Sequence, residues 1–347
     1  MSPSRIIGGM FGLDDLLPSH PTSPPFLSDG RTIMLLNARS GIWLLIGQLS
    51  PSQTWLPSYL CPSVLQGVNP HRTRVRFYPV DYDLRISTKT WIDEVRAGDL
   101  VVLIDYFGFP CDRECARLAR ERGARVVEDA CQALLSGGVG LHADFVLFSP
   151  RKFLGVPDGG VLILKSGADM PDVPLASPPV TWSLKALEIA ILRREFDRYG
   201  GSRRWFELSR EDKRDCPVGA YAMSELSHDL LVHGFDYQAI ARRRRQNYSF
   251  LADELSEVAL FPDLPPEVVP LGFPIRVAER ERIRNALFDA GIFPPVHWEI
   301  RGCVPEGFRE SHRLSEEIMT LLCDQRYDQE DLCRMVSRLG NQHVSSS

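Results

Sequence analysis

The chain has 347 residues, of which 44% are hydrophobic and 24% charged, with a net charge of −5. That balance is ordinary for a globular protein and allows two domains. The acidic surplus argues against a nucleic-acid or anionic-membrane partner, and no apolar run approaches the roughly 18 residues of a membrane span.

Residues 1–30 are rich in Pro, Ser and Gly, with Pro18, Pro21, Pro24 and Pro25 close together. Such clustering denies regular hydrogen bonding and predicts an extended arm. The arm lacks a basic segment followed by an apolar core, so no signal peptide is expected. A strand-like run, Thr32 to Leu36, then meets a small-residue turn and a helical apolar stretch from Asn37 to Ile46. Strand, turn and helix in that order present backbone N–H groups to an anion, with Arg39 and Ser40 at the helix start; the plainer alternative makes Arg39 a surface residue and Ser40 an N-cap. Leu100-Val101-Val102-Leu103-Ile104 is a continuous apolar run that ends in Asp105-Tyr106-Phe107-Gly108. A helix from Asp112 toward Arg122 leads to Val126-Val127-Glu128-Asp129, which predicts a strand–helix–strand unit. Two further buried strands are expected at 145–148 and 161–164. The first is followed by Ser149 and Lys152, and the second is preceded by Asp158-Gly159-Gly160.

Prolines at 171, 174, 178 and 179 mark a loop. An amphipathic helix is expected from Ser183 to Tyr199, and a long helical region from Ala222 to Leu255. The latter holds Arg242 to Arg245, four arginines that point in different directions on a helix and so make no basic stripe. The last hundred residues alternate short strands and helices: a strand at 273–277, a helix at 279–290, a turn into another strand at 291–293, and a closing helix to Leu339. The tail from Asn341 is expected to be loose. Eight cysteines are scattered without CxxC spacing, which argues for reduced thiols and against disulfides or zinc. Cys111 and Cys115, on an expected helix, are included in that reading, and no metal is expected.

The chemistry lies at the strand ends, where ligands bind in open α/β sheets. Asp129, Gln132, Ser149 and Lys152 each follow a strand, so an acid, an amide, a hydroxyl and an amine can converge on one small molecule. A lysine amine can form a Schiff base with an aldehyde cofactor, and a carboxylate can keep a pyridine nitrogen protonated. A hydroxyl can hold a phosphate. Together they describe pyridoxal 5'-phosphate (PLP) chemistry. Singly, each has a plain alternative: a solvated lysine or an aspartate that caps a helix. Tyr106, just past a strand, lines the pocket or packs the core. A nicotinamide dehydrogenase is disfavoured, because no GxGxxG follows the first strand.

Glu128-Asp129-Ala130-Cys131-Gln132, Phe148-Ser149, Lys152 and Asp158-Gly159-Gly160 resemble the pattern of the DegT/StrS-type sugar aminotransferases. The resemblance implies an α/β fold of the PLP-dependent transferase, aspartate-aminotransferase-like class. It implies a large domain over 1–235 with a central mixed, mostly parallel sheet and the arm 1–30, and a smaller C-terminal α/β domain over 236–347. It implies Lys152 as the cofactor lysine, Asp129 at the ring nitrogen and Gln132 near the ring hydroxyl. Ser149, Arg39 and Ser40 would sit near the phosphate. Cys61 falls where the family has a stacking aromatic, with Tyr59 two residues before. Pro295-Val296-His297-Trp298 matches the segment near the substrate mouth, so Tyr59, Tyr106 and His297 are candidate substrate contacts.

The chain also departs from the family. Ser149 and Lys152 are three apart where about five is common. Ala220 replaces an Asn that reaches the partner subunit's cofactor phosphate, and Arg39 is expected to compensate by a charge-assisted contact. The scattered thiols fit a cytoplasmic protein, and the resemblance further implies a homodimer with shared active sites, in which the arm can wrap the neighbouring subunit. Its reaction would pass an amine from glutamate to a keto-sugar, carried on a nucleotide, in surface-polysaccharide or secondary-metabolite biosynthesis. Two alternatives remain: another PLP reaction on the same fold, and a non-catalytic or regulatory relative.

Overall fold

The structure, a computed structural model, describes residues 5–14, 23–27 and 30–344; Pro18 and Pro21 of the proline-rich arm lie outside the described residues. The elements run β1 (Ile7–Gly8), β2 (Arg31–Leu35), α1 (Ala38–Leu49), β3 (Gln53–Pro57), α2 (Pro62–Gln66) and β4 (Arg74–Tyr78). Next come β5 (Leu100–Ile104), α3 (Arg113–Glu121), β6 (Arg125–Asp129), β7 (Phe145–Phe148) and β8 (Gly160–Leu164). The helices α4 (Val180–Tyr199), α5 (Arg204–Asp215), α6 (Glu225–His233) and α7 (Tyr237–Leu255) follow. The chain closes with β9 (Phe273–Arg276), α8 (Arg280–Asp289), β10 (Ile292–Phe293), α9 (Arg309–Glu317), β11 (Ile318–Leu321) and α10 (Gln329–Val344).

Seven strands form the central sheet in the order β2-β8-β7-β6-β5-β3-β4. Neighbours from β4 to β7 pair parallel, and β8 alone runs against both β7 and β2. The sheet is therefore mixed and mostly parallel, as expected. β5 and β8 are buried along their whole length, because β-branched and aliphatic runs without polar alternation need cover on both faces. Parallel register brings Ile104 opposite Asp129 and Asp129 opposite Leu147. The residues that follow these strands thus emerge along one edge.

α1 packs directly on this edge. Its N-cap is Asn37, whose side chain accepts from the Ser40 N–H at 3.1 Å; Ser40, expected as a possible cap, sits one turn inside. Gly160 lies under this cap, where a Cβ would come within 2.3 Å of the Asn37 carbonyl carbon.

Several expectations shift. Cys111 stands before the Asp112 N-cap of α3, so only Cys115 is helical. The region from Ala222 to Leu255 is two helices, because Gly234 ends α6 and the Asp236 carboxylate caps α7 through the Ala239 N–H at 2.8 Å. α5 has no counterpart among the elements expected from the sequence. The closing helix runs past Asn341 to Val344; residues 345–347 lie outside the described residues.

A second core gathers Tyr248, Leu251, Phe273, Ile275, Leu287 and Ile292. Ile7 of the arm joins it, since β1 pairs parallel with β10. The start of the arm is thus bound to a strand near the other end of the chain, while Phe26 packs on the central sheet, its ring 5.6 Å from that of Phe148. Trp298, Ile300 and Leu314 go the other way, into the core of the large sheet. Among the described residues no helix is long and apolar enough to cross a membrane.

Candidate functional site

Asp129 is the last residue of β6 and is 7% exposed. One carboxylate oxygen accepts from the Cys131 N–H at 3.1 Å. Ser149 follows β7, and a single turn of 3-10 helix over Pro150–Lys152 carries the chain on. The Lys152 N–H returns to the Ser149 carbonyl at 3.1 Å, so one short turn takes the place of the longer spacing. Phe153 and Leu154, both buried, anchor the turn. Burial pushes the Cys131 thiol well above its ordinary range; the Asp129 carboxylate adds to that rise and the Lys152 charge opposes it.

Gln132 is 1% exposed. Its Oε1 accepts from the Phe107 N–H at 2.8 Å, which fixes the orientation of the amide. Its Nε2 is buried and has no hydrogen-bond partner among the described residues. Native proteins rarely leave a buried donor unpaired.

The α1 end is less simple. Ser40 is fully buried, its hydroxyl held by Asn37 at 3.3 Å and by the Gly219 N–H at 3.3 Å. It is turned inward, in contrast to its expected place at a phosphate. Arg39 is half-buried, and its guanidinium donates to the Gln66 side chain. Cys61 is the N-cap of α2, with its sulfur 2.8 Å from the Ser63 hydroxyl.

Tyr59, Tyr106 and His297 do come together, with Trp298 as a fourth member. The ring centroids of Tyr59 lie 6.0 Å from Tyr106 and 5.8 Å from Trp298. The Tyr59 hydroxyl donates to the His297 carbonyl and accepts from the Trp298 N–H at 2.7 Å, while the Tyr106 hydroxyl donates to the Tyr59 carbonyl. Burial holds both phenols well above their ordinary range, so both stay protonated. His297 Nδ1 lies 2.8 Å from the Thr320 hydroxyl.

Asp158 is structural. Its carboxylate accepts from the Ser224 N–H at 3.0 Å and the Ser224 hydroxyl at 2.5 Å, which ties the Gly-Gly turn to the start of α6. A surface cavity of about 620 Å³ lies elsewhere, between β2 and the start of α6, lined by Arg31, Met34, Asp172, Met223 and His228. None of the candidate residues lines it.

The seven-stranded sheet with one reversed strand thus carries Asp129 and Lys152 at the ends of neighbouring strands. No protein-family model and no curated protein matches the chain. Solved structures do share its fold. The sugar aminotransferase CalS13 from Micromonospora echinospora is 16% identical over 97% of this chain and 93% of that one, with a TM-score of 0.62. A DegT DnrJ EryC1 StrS aminotransferase from Brucella abortus is 14% identical over 92% and 87%, with a TM-score of 0.64. Spr1654 from Streptococcus pneumoniae, in its PLP form, is 14% identical over 96% and 92%, with a TM-score of 0.65.

Proposed function

We propose that the chain is a PLP-dependent aminotransferase of the DegT/StrS type, which moves an amino group from an amino acid to a keto-sugar. The observation that carries this reading is the placement of Asp129 at the end of β6 and of Lys152 in the turn that follows β7, the strand paired beside it. The unpaired Gln132 Nε2 supports it: a buried amide donor requires an acceptor, and the ring oxygen of PLP is one. The resemblance of the motifs and the shared fold point the same way.

Bound PLP supplies an aldehyde and a ring that withdraws electrons from the carbon under attack. Lys152 would hold it through Nζ, and the freed amine would then take a proton at Nζ and return it, as general base and general acid. Asp129 would keep the ring nitrogen protonated, and Gln132 would donate to the ring oxygen. Ser149, Arg39 and the α1 N-terminus would hold the phosphate, a role that the inward Ser40 hydroxyl can share only after it turns. Cys61 would cover the ring, and Tyr59, Tyr106 and His297 would shape the substrate side. Glutamate as donor, a nucleotide-linked acceptor, a cytoplasmic homodimer with shared sites, and a place in surface-polysaccharide or secondary-metabolite biosynthesis complete the proposal.

Purified protein given PLP should show the absorbance band of the bound cofactor, and Lys152→Ala should abolish it. Glutamate and candidate keto-sugars should then give ping-pong kinetics. Wild-type protein that takes up no PLP would overturn the reading. It would favour the second one, a non-catalytic relative of the same fold, to which the internal bonds of the Ser40 hydroxyl already point.

A further inference from the structure

Past β1 the arm runs as Gly9-Met10-Phe11-Gly12-Leu13-Asp14 toward the turn that carries Lys152. The Leu13 N–H donates to the Ala190 carbonyl of α4 at 2.9 Å. The Asp14 carboxylate then accepts from the Gly155 N–H at 2.8 Å, and the Asp14 N–H donates to the Gly155 carbonyl at 3.2 Å. Gly155 is buried, three residues after Lys152. Both of its backbone polar groups are thus taken by one residue of the arm.

The approach is close on both sides of the arm. A Cβ on Gly155 would lie 2.1 Å from the Gly12 carbonyl oxygen and 2.7 Å from Asp14 Oδ2, and a Cβ on Gly12 would lie 2.6 Å from the Arg194 nitrogen. Glycine at both positions lets the turn, the arm and α4 stack at this distance. Phe11 holds the arm down: it is buried, with the Arg326 guanidinium 4.0 Å from its ring centre. Arg326 also donates to the Met10 carbonyl at 3.0 Å and the Gly9 carbonyl at 3.2 Å, and pairs with the buried Asp324 at 2.9 Å. From the same segment Gln325 donates to the Phe153 carbonyl at 2.6 Å. Residues 153–155 are therefore gripped by groups that lie far away in the chain.

We propose that Asp14 is a positioning residue for Lys152: through Gly155 the arm fixes the backbone of the turn, and with it the direction of the Lys152 amine. This rests on the PLP reading and adds to it a residue to which that reading gives no role. The amine stands at the end of a flexible four-carbon stem, so its aim depends on the backbone that carries it. Misplacement by about 1 Å can cost on the order of 10²-fold in a reaction that relies on preset geometry. Pro150 stiffens the start of the turn through its fixed φ, and Asp14 restrains its end. Asp14→Asn keeps an oxygen for the Gly155 N–H, whereas Asp14→Ala keeps only the backbone half of the contact.

The test titrates full-length wild type, Asp14→Ala, Asp14→Asn and Gly155→Ala with PLP, read by the bound-cofactor absorbance. In parallel, amide hydrogen exchange is followed by peptide in the cofactor-free proteins. Asp14→Ala should weaken PLP binding by about tenfold and speed exchange over residues 152–156, with exchange over β5 unchanged. Asp14→Asn should restore both. Gly155→Ala, whose methyl group displaces the arm, should reproduce the loss. An Asn variant as weak as the Ala variant, wild-type PLP affinity in Gly155→Ala, or faster exchange in Asp14→Ala without loss of affinity would overturn the positioning role. Wild-type protein that takes up no PLP would sink the aminotransferase reading, and exchange would still decide this one. Faster exchange at 152–156 in Asp14→Ala then upholds the restraint on the Lys152 turn, and unchanged exchange there overturns it.

Discussion

The carboxyl groups of Asp105 and Glu128 lie together inside the protein, their oxygens and the Cys111 sulfur all within 4.8 Å of one another. Asp105 follows β5, and one of its oxygens accepts from the Cys111 N–H at 2.7 Å. Its other oxygen has no donor among the described residues. Burial, and then the neighbouring Glu128 charge, push Asp105 well above the usual carboxylate range, and burial raises Glu128 as well. Two buried acids side by side hold a proton between them.

The sign of the pH dependence follows. The native protein keeps the proton that the unfolded chain releases near pH ~3.9, so stability is lost as pH rises from there through the raised native value. Asp105→Asn keeps the acceptor for the Cys111 N–H and can donate to Glu128 without ionising. Its unfolding temperature should exceed that of wild type at about pH 8 and converge with it near about pH 4. A difference that stays constant over that range, measured by thermal unfolding, would remove the shared proton.

Gln132 gives a second prediction. Gln132→Glu keeps an acceptor for the Phe107 N–H and replaces the unpaired donor with a carboxylate that faces the same space. PLP affinity should fall by roughly tenfold or more, about 1.4 kcal/mol, and a control titration at a pH low enough to protonate the buried carboxyl should recover part of it. An unchanged affinity in an absorbance titration would mean that the Nε2 group does not meet the cofactor.

The strands that carry the site were legible, because Leu100 to Ile104 and Phe145 to Phe148 are uninterrupted apolar runs that admit few other structures. The candidate acid, amide and amine were legible as residues that follow such runs. What escaped depends on tertiary contact. β1 is two residues long and exists only through β10. α5 is strongly polar, with Trp205, Phe206 and Leu208 as its only apolar side chains, too few to mark a buried stripe before the contacts are known. The Asp105–Glu128 pair needs the register of β5 against β6, which places Leu103 opposite Glu128.

Tyr59 joins the central sheet to the 297–298 segment. Tyr59→Phe leaves the His297 carbonyl and the Trp298 N–H without their shared partner in a buried site. The expected loss of stability is about 1–3 kcal/mol, the range for buried polar groups left unpaired. Denaturant titration that returns wild-type stability would show that water replaces the hydroxyl.

The four-arginine run offers the sharpest contrast among neighbours. Arg242 and Arg243 are exposed, and their replacement by Ala should change stability by no more than about 0.5 kcal/mol. Arg244 is fully buried: it donates to the Pro270 carbonyl at 3.1 Å, the Leu271 carbonyl at 3.0 Å and the Gln325 side chain at 2.9 Å. Its guanidinium also lies 4.4 Å from the centre of the Phe153 ring, next to Lys152. Arg244→Met strips a charged donor from the Pro270, Leu271 and Phe153 carbonyls and should cost about 2–4 kcal/mol. Arg244→Lys should recover little, because one ammonium cannot span acceptors that the planar fork reaches together. Since Phe153 anchors the turn that holds Lys152, both variants should also weaken cofactor retention at temperatures well below unfolding. Full retention by a destabilised Arg244→Lys protein would separate the packing of this arginine from the position of the lysine.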